Sequence, residues 1–390
     1  MCSSDLVMLP PNLPMRKAAR GWTSFTPATA YATSASLVLV RQTARVEIGD
    51  ARDLWSPAGT YLNTASYGLP PQPAWEALNT ALEDWRSGRT SWEQWQEETD
   101  VARTTFARLV HVAPEQVAVA ANVSSLVGLV AASIPDGSRV LTPEVEFTSA
   151  FFPFLAQSRR GVTVRYASTV ELVDAIDAET DVVVCSAVQM ATGEVADLDG
   201  LAAAAELHDV LTVVDATQAA GWLPLDAGRF DVMVVAGYKW LLTLRGTAYM
   251  ALRPSVLERV TPVSAGWYAG EVPFETYFGP PLRLASTARR LDTSPAWHSW
   301  VVGAQSLAVL EGIGIEEIHA HDVGLANRFR EGLALESSDS AIVYCDVEGA
   351  AEKLDRAGIR AAVRGGRLRT SWHVYNSYAD VERTLDALVG

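Results

Sequence analysis

The chain has 390 residues, 49% of them hydrophobic, enough to bury a full core and to build two domains. Its formal net charge of −15 argues against nucleic acid or an anionic membrane as a partner. The three cysteines (Cys2, Cys185, Cys345) make no disulfide framework, no Cys/His cluster has zinc spacing and no apolar run reaches transmembrane length, so a reducing, cytoplasmic setting is expected.

Residues 1–45 mix Pro, Ser and Thr with scattered apolar residues and show no period. The string "SASLVLV" is too short and too poorly flanked for a secretory signal. This segment is expected to be an irregular tail outside the native fold, so that a chain beginning near Val46 keeps its solubility and activity. From Val117 onward short β-rich runs recur: "VAVA" (117–120), "RVLTPEVEF" (139–147), "VTVRYAS" (162–168), "DVVVCSAVQ" (181–189), "LTVVDATQ" (211–218), "DVMVVAG" (231–237) and "GTAYMAL" (246–252). Helical patterns such as "LVGLVAAS", "TSAFFPFLAQS", "TVELVDAI" and "DLDGLAAAAELHD" separate the earlier ones. Near-continuous apolar strands alternating with helices predict an α/β fold, with a mostly parallel seven-stranded sheet between helices. This large domain is expected over 46–310, its first roughly 25 residues forming an N-terminal arm. A long helix, "SPAWHSWVVGAQSLAVLEGIG" (294–314), is followed by a second, "IEEIHAHDVGLANRFREGL". The runs "AIVYCDV" and "LRTSWHVY" then flank the helix "GAAEKLDRAG", which predicts a small α+β domain over 311–390.

In sheets of this kind ligands bind beyond the carboxyl ends of the strands. Ser124, Phe147, Gln189, Asp215, Gln218 and Lys239 fall there. Lys239 stands out, because the only lysines are Lys17, Lys239 and Lys353, and only Lys239 follows a strand of buried character. An ammonium against apolar walls is costly unless it is paired or used, and a desolvated amine is available for imine formation. Asp215 at the end of a buried strand calls for a cationic partner, and a protonated pyridine nitrogen would serve. In "ANVSSLVGL" a strand gives way to a helix, where backbone N–H groups, the helix dipole and serine hydroxyls make a phosphate site. Phe147 can stack on a flat ring. Each feature alone has a plainer reading as a cap, a turn, core or an ion pair. Their order on successive strands is what points to a phosphorylated pyridine.

The stretch "VVDATQAAGWLPLD" followed by "DVMVVAGYKWLL" resembles the class-V aminotransferase group of fold-type I, pyridoxal-phosphate-dependent enzymes. That group also holds cysteine desulfurases, kynureninases and isopenicillin epimerase-like enzymes. The likeness runs from "YLNTASYGLPP" (61–71) to "RLRTSWHVYNSYADVERTLDAL" (367–388). It implies pyridoxal 5′-phosphate as cofactor, with Lys239 forming the covalent imine and then moving the proton at Cα. It further implies that Asp215 pairs with the pyridine nitrogen and that Gln189 and Gln218 lie near the ring O3′ and the imine. Phe147 would stack on the ring, and Ser124, Ser125 and Tyr238 would bind the phosphate. Many relatives carry a hydroxyl residue where Ala236 stands, so one phosphate donor is expected to be missing. "RRLDTSP" resembles the segment that reaches the partner subunit's phosphate, which makes Thr293 and Ser294 candidates in trans and implies a homodimer. Arg369 matches the arginine that holds the substrate α-carboxylate in a bidentate fork. Asn63 is placed at the entrance, and Tyr67 is read as part of a turn.

A desulfurase needs an accessible cysteine on the loop before the "R-x-S" strand. Here that region, "GIRAAVRGGRLRTSWHVYN", holds none, and Cys345 lies earlier in an apolar strand, so desulfurase activity is disfavoured. The expected activity is that of a class-V aminotransferase acting on an α-amino acid. A Cβ-eliminating C–S lyase or an epimerase of the same family is the alternative. A catalytically silent binding protein is the non-enzyme alternative, and retention of Lys239, Asp215 and Arg369 speaks against it. Trp267, Tyr268, Tyr277, Phe278 and Trp297 are expected near the mouth of the site, as a hint of an apolar side-chain pocket.

Overall fold

The computed structural model describes residues 46–364 and 366–389, so the tail expected over 1–45 lies outside the described residues. The helices α1 (Ile48–Ala51), α2 (Gln72–Ser87) and α3 (Trp92–Leu109) precede the first strand, β1 (Val117–Ala120). Then come α4 (Val123–Ser133), β2 (Arg139–Pro143), α5 (Thr148–Leu155), β3 (Thr163–Ala167), β4 (Val182–Ser186), α6 (Leu198–His208), β5 (Leu211–Asp215), β6 (Val232–Ala236), β7 (Ala248–Leu252) and α7 (Pro254–Leu257). The chain continues through α8 (Trp297–Ile313), α9 (Ile315–Gly332), β8 (Ile342–Asp346), α10 (Ala350–Arg356), β9 (Ala362–Arg364), β10 (Arg367–Ser371) and α11 (Tyr378–Val389).

The first seven strands form one sheet in the order β1-β7-β6-β5-β4-β2-β3. Pairs within β3-β2-β4-β5-β6 are parallel, while β7 runs antiparallel to both β1 and β6. β1, β4, β6 and β7 are buried at every position, which is why their sequences read as unbroken apolar runs. The edge strand β3 is half exposed. The strands stop short of the apolar runs: β2 ends at Pro143, β4 at Ser186 and β5 at Asp215. Glu146, Phe147, Gln189 and Gln218 are therefore carried by loops at the carboxyl rim, where no ladder fixes their direction. The segment "TVELVDAI" forms turns instead of a helix. It is too short to repay helix nucleation, and the guanidinium of Arg165 captures the Ala175 carbonyl at 2.7 Å.

A second, antiparallel sheet has the order β8-β10-β9. Its own core includes Leu62, Phe329, Leu354, Leu368 and Trp372. Leu62 belongs to the N-terminal arm, which docks on this sheet through Leu62 N to Arg360 O (2.7 Å) and Ser371 N to Leu62 O (3.0 Å). One buried ion pair braces the large sheet. Arg103 of α3 donates to Asp292 at 2.6 Å, and Asp292, with no exposed surface, also accepts from Val119 N of β1 at 2.8 Å. Among the described residues no helix is long and apolar enough to cross a membrane.

Candidate active site

A cavity of about 230 Å³ lies at the carboxyl rim of β4, β5 and β6, against the N-terminus of α4. Its walls include Asn122, Ser124, Phe147, Ser186, Met190, Asp215, Thr217, Gln218, Ala236, Tyr238, Lys239 and Arg245. Burial of the strands brings residues far apart in the chain to one place, as parallel topology requires.

Lys239 is 6% exposed and sits just beyond β6. Its Nζ lies 5.6 Å from the centre of the Phe147 ring and 5.8 Å from that of Tyr238. Two glycines let other backbone pack directly against this turn. Gly68 N donates to the Tyr238 carbonyl at 3.0 Å, and a Cβ on Gly68 would stand 2.0 Å from the Lys239 carbonyl oxygen. A Cβ on Gly221, whose φ is +114°, would stand 2.4 Å from the Trp240 carbonyl oxygen. Gly68→Ala is therefore expected to force the lysine turn outward and to cost about 1–3 kcal/mol of stability. Chemical denaturation checks this, and an unshifted midpoint would contradict it.

Asp215, 4% exposed, accepts from Thr217 N at 2.9 Å. Burial pushes its carboxyl pKa up, with the Thr217 hydrogen bonds and the charge of Lys239 opposing. Beside it stands Glu146, which the sequence reading passed over. Its carboxylate accepts from Ser186 Oγ (2.5 Å), Ser186 N (2.6 Å), Phe147 N (2.6 Å) and Gln189 Nε2 (3.4 Å). Burial raises the pKa of Glu146 too, while the hydrogen bonds from Ser186 and Phe147 lower it. The signal that marked Asp215, an acid at the end of an apolar run, was also present in "RVLTPEVEF". Gln189 faces Glu146 and does not line the cavity. Gln218 lines it, but its amide oxygen accepts from the Trp240 indole at 2.8 Å and its NH₂ donates to the Ala65 carbonyl at 3.0 Å.

At the other end Asn122 caps α4, its Oδ1 accepting from Ser125 N and from Ser124 Oγ at 2.9 Å each. The Ser125 hydroxyl turns back to the Asn122 carbonyl at 2.9 Å, outside the cavity lining. Ala236 brings no hydroxyl, and its N–H donates to Thr217 Oγ1 at 2.9 Å. Arg245, also passed over, lies 4.5 Å above the Tyr238 ring and donates to its hydroxyl at 3.2 Å. A single loop arginine carries no sequence signal of its own. Thr293 and Ser294 lie outside the cavity of their own chain, next to the Asp292 anchor, with Thr293 N donating to Val119 O at 3.4 Å.

Arg369 is 3% exposed and reaches the cavity wall through Met190, whose carbonyl it binds at 2.8 Å; it also donates to Ser66 Oγ at 2.8 Å. Asn63 starts the turn of the arm, its carbonyl accepting from Ser66 N and Tyr67 N, and it bridges to Ser371. Tyr67 closes that turn and packs its ring 5.3 Å from Tyr238. The aromatic residues expected at the mouth do not line this cavity. Trp267, Tyr277 and Trp297 gather around Trp92 of α3, Tyr268 is core with no exposed surface, and Phe278 is exposed. Aromatic side chains have two ways to satisfy themselves, a ligand or one another, and composition does not distinguish them. Neither described cysteine is a ready nucleophile. Burial drives the Cys185 thiol far above its usual range, and burial with the nearby Asp346 pushes Cys345 up to about 11.

The family model "Aminotransferase class-V" matches residues 61–354. An uncharacterized aminotransferase, YcbU of Bacillus subtilis (strain 168), is 26% identical over 353 residues, covering 84% of this chain and 93% of that protein. Isopenicillin N epimerase of Streptomyces clavuligerus is 29% identical over 389 residues, covering 86% of this chain and 96% of that one. Among solved structures, the cystine C–S lyase C-DES in complex with its product, cysteine persulfide, superposes with a TM-score of 0.77 at 20% identity, covering 85% of this chain and 97% of the lyase. A mutant of C-DES has been solved with glycine covalently linked to the PLP cofactor. The match over residues 61–354, together with this sheet and rim, places the chain in the class-V aminotransferase family.

Proposed function

We propose that this protein is a pyridoxal-phosphate-dependent aminotransferase acting at Cα of an α-amino acid, as a homodimer. The observation that carries the reading is the juxtaposition, in one cavity, of the Lys239 amine, the Phe147 ring and the buried Asp215 carboxylate at the rim of a class-V fold. The residues fit the cofactor on chemistry. A buried carboxylate with a raised pKa accepts a cationic ring nitrogen, an aromatic face accepts a flat ring, and a capped helix N-terminus accepts a phosphate. When bound, pyridoxal 5′-phosphate supplies an electron sink for the negative charge that develops at Cα.

The rest of the chemistry belongs to the chain. Lys239 would hold the cofactor's aldehyde carbon and, once displaced from it by the substrate amine, its freed amine would take the Cα proton and return it. Asp215 would keep the ring nitrogen protonated. Phe147 would cover one ring face, and Glu146 holds the Phe147 backbone N–H at 2.6 Å. The α4 N-terminus with Ser124, Ser125 and Tyr238 receives the phosphate. Arg245 adds a cation there, which offsets the hydroxyl missing at Ala236. Thr293 and Ser294 serve the partner subunit's phosphate. Arg369 binds the substrate α-carboxylate at the wall shared with Met190, and Asn63 lines the entrance.

Among the described residues the cavity lining holds one amine and no histidine. That amine is the single base that aminotransfer, the proposed reaction, and elimination, the second reading, both need. The high thiol pKa values weigh against a desulfurase. The deciding experiment is a panel of amino acids scored for keto acid, ammonia and sulfide. Keto acid appearing only when an acceptor keto acid is added is the expected result. Ammonia or sulfide released without an acceptor would move the assignment to a lyase.

A further inference from the structure

Behind the Lys239 turn lies a polar cluster that the proposed chemistry leaves unused. His373 follows β10, Asp322 lies within α9, and both have no exposed surface. His373 Nδ1 stands 2.7 Å from Asp322 Oδ2, and His373 Nε2 stands 3.0 Å from the carbonyl oxygen of Trp240, the residue after Lys239. The other Asp322 oxygen meets His321 Nδ1 at 3.0 Å. The Trp240 ring packs edge-on to the imidazole, with centroids 5.1 Å apart.

Chemistry fixes the hydrogens. A backbone carbonyl only accepts, so Nε2 must carry a hydrogen. Asp322 anchors the far side of the ring, whether it accepts from Nδ1–H of a charged imidazole or donates its own proton to a bare Nδ1. Either way Nε2–H stays aimed at Trp240. On the same turn Gly221 and Gly68 leave no room for displacement, as their close approaches to the Trp240 and Lys239 carbonyls indicate. The peptides on both sides of Trp240 are thus held by one polar clamp and two steric walls. A buried carbonyl stripped of its donor seeks another partner, and the Lys239 backbone would turn with it.

We propose that Asp322 and His373 form a positioning pair that sets the aim of Lys239 from behind the site. The catalytic half of this statement rests on the role proposed for Lys239; the structural half does not. The test uses the full chain without cofactor and reads amide hydrogen exchange, with Asp322→Leu, Asp322→Asn and the double change His373→Leu with Asp322→Leu. In Asp322→Leu the imidazole loses its anchor at Nδ1, and the ring is free to tilt away from the Trp240 carbonyl. Exchange over residues 237–243 is expected to rise about tenfold, while β4 and β5 stay protected. Asparagine can accept from His321 and donate to Nδ1, so Asp322→Asn is expected to stay within about twofold of the parent. The double change fills the site with apolar groups, so it remains testable if Asp322→Leu fails to fold, and it should show the same local rise.

In the cofactor-loaded enzyme, kcat should fall roughly 10- to 100-fold in the leucine variants with KM unchanged, and recover in Asp322→Asn. Unchanged local exchange in the leucine variants, exchange rising uniformly over the chain, or Asp322→Asn behaving like leucine would each overturn the proposal. If the parent protein turns over no amino acid, the exchange data still decide the positioning role, so the two failures are distinguishable.

Discussion

Lys239→Ala is expected to lower kcat on the order of 10⁴-fold while leaving the fold intact. The side chain is 6% exposed in a cavity, so its removal deletes a buried amine without opening the core. The parent protein, incubated with pyridoxal 5′-phosphate and passed through gel filtration, should be yellow. Borohydride should bleach it and fix the cofactor to the peptide spanning residues 231–245. The variant should come off the column colourless, with an unaltered melting temperature. Cofactor fixed by borohydride in Lys239→Ala would sink the assignment, as would a colourless parent.

Asp215→Asn is expected to split stability from activity. In the cofactor-free chain, burial raises the Asp215 pKa above its ordinary value. The folded chain therefore holds a proton that the unfolded chain has already released at about pH 4. Stability falls as the pH rises from there through the folded pKa, and the deficit persists above it. Asparagine removes the charge and keeps an oxygen for the Thr217 N–H, bonded at 2.9 Å in the parent. The cofactor-free variant should thus be at least as stable as the parent at neutral pH, with a flatter dependence of Tm on pH between acid and neutral. With cofactor, losing the carboxylate under the ring nitrogen should lower kcat by roughly 10²- to 10³-fold. A variant that melts earlier at neutral pH yet retains full turnover would refute both halves.

The sheet was legible because strands buried on both faces leave short, nearly unbroken apolar runs in the sequence. The reversed direction of β7 was not, because an apolar run looks the same in either orientation. Lys239 and Asp215 each read alone as an ion pair or a cap, but their order on successive strands predicts one rim, and both line one cavity there. Glu146 stands near the end of an apolar run too, but "RVLTPEVEF" reads as one continuous strand ending on Phe147, whereas the strand ends at Pro143 and a loop turns Glu146 toward Ser186. Gln189 shows the limit in the other direction: its position at the rim followed from the run, but its partner, Glu146, depended on loop geometry. The Asp322–His373 contact joins residues that no local pattern links, and only the packing of α9 against the Lys239 turn brings them together.

The Asp292 brace carries a consequence for assembly. The Arg103 side chain and the Val119 amide immobilise Asp292 within the core of its own subunit, immediately before Thr293 and Ser294. A segment offered to another molecule usually loses conformational freedom at the moment of docking, and affinity is diminished accordingly. Here that freedom is surrendered during folding. In the proposed dimer, the backbone leading into Thr293 and Ser294 would therefore lose little further freedom on docking.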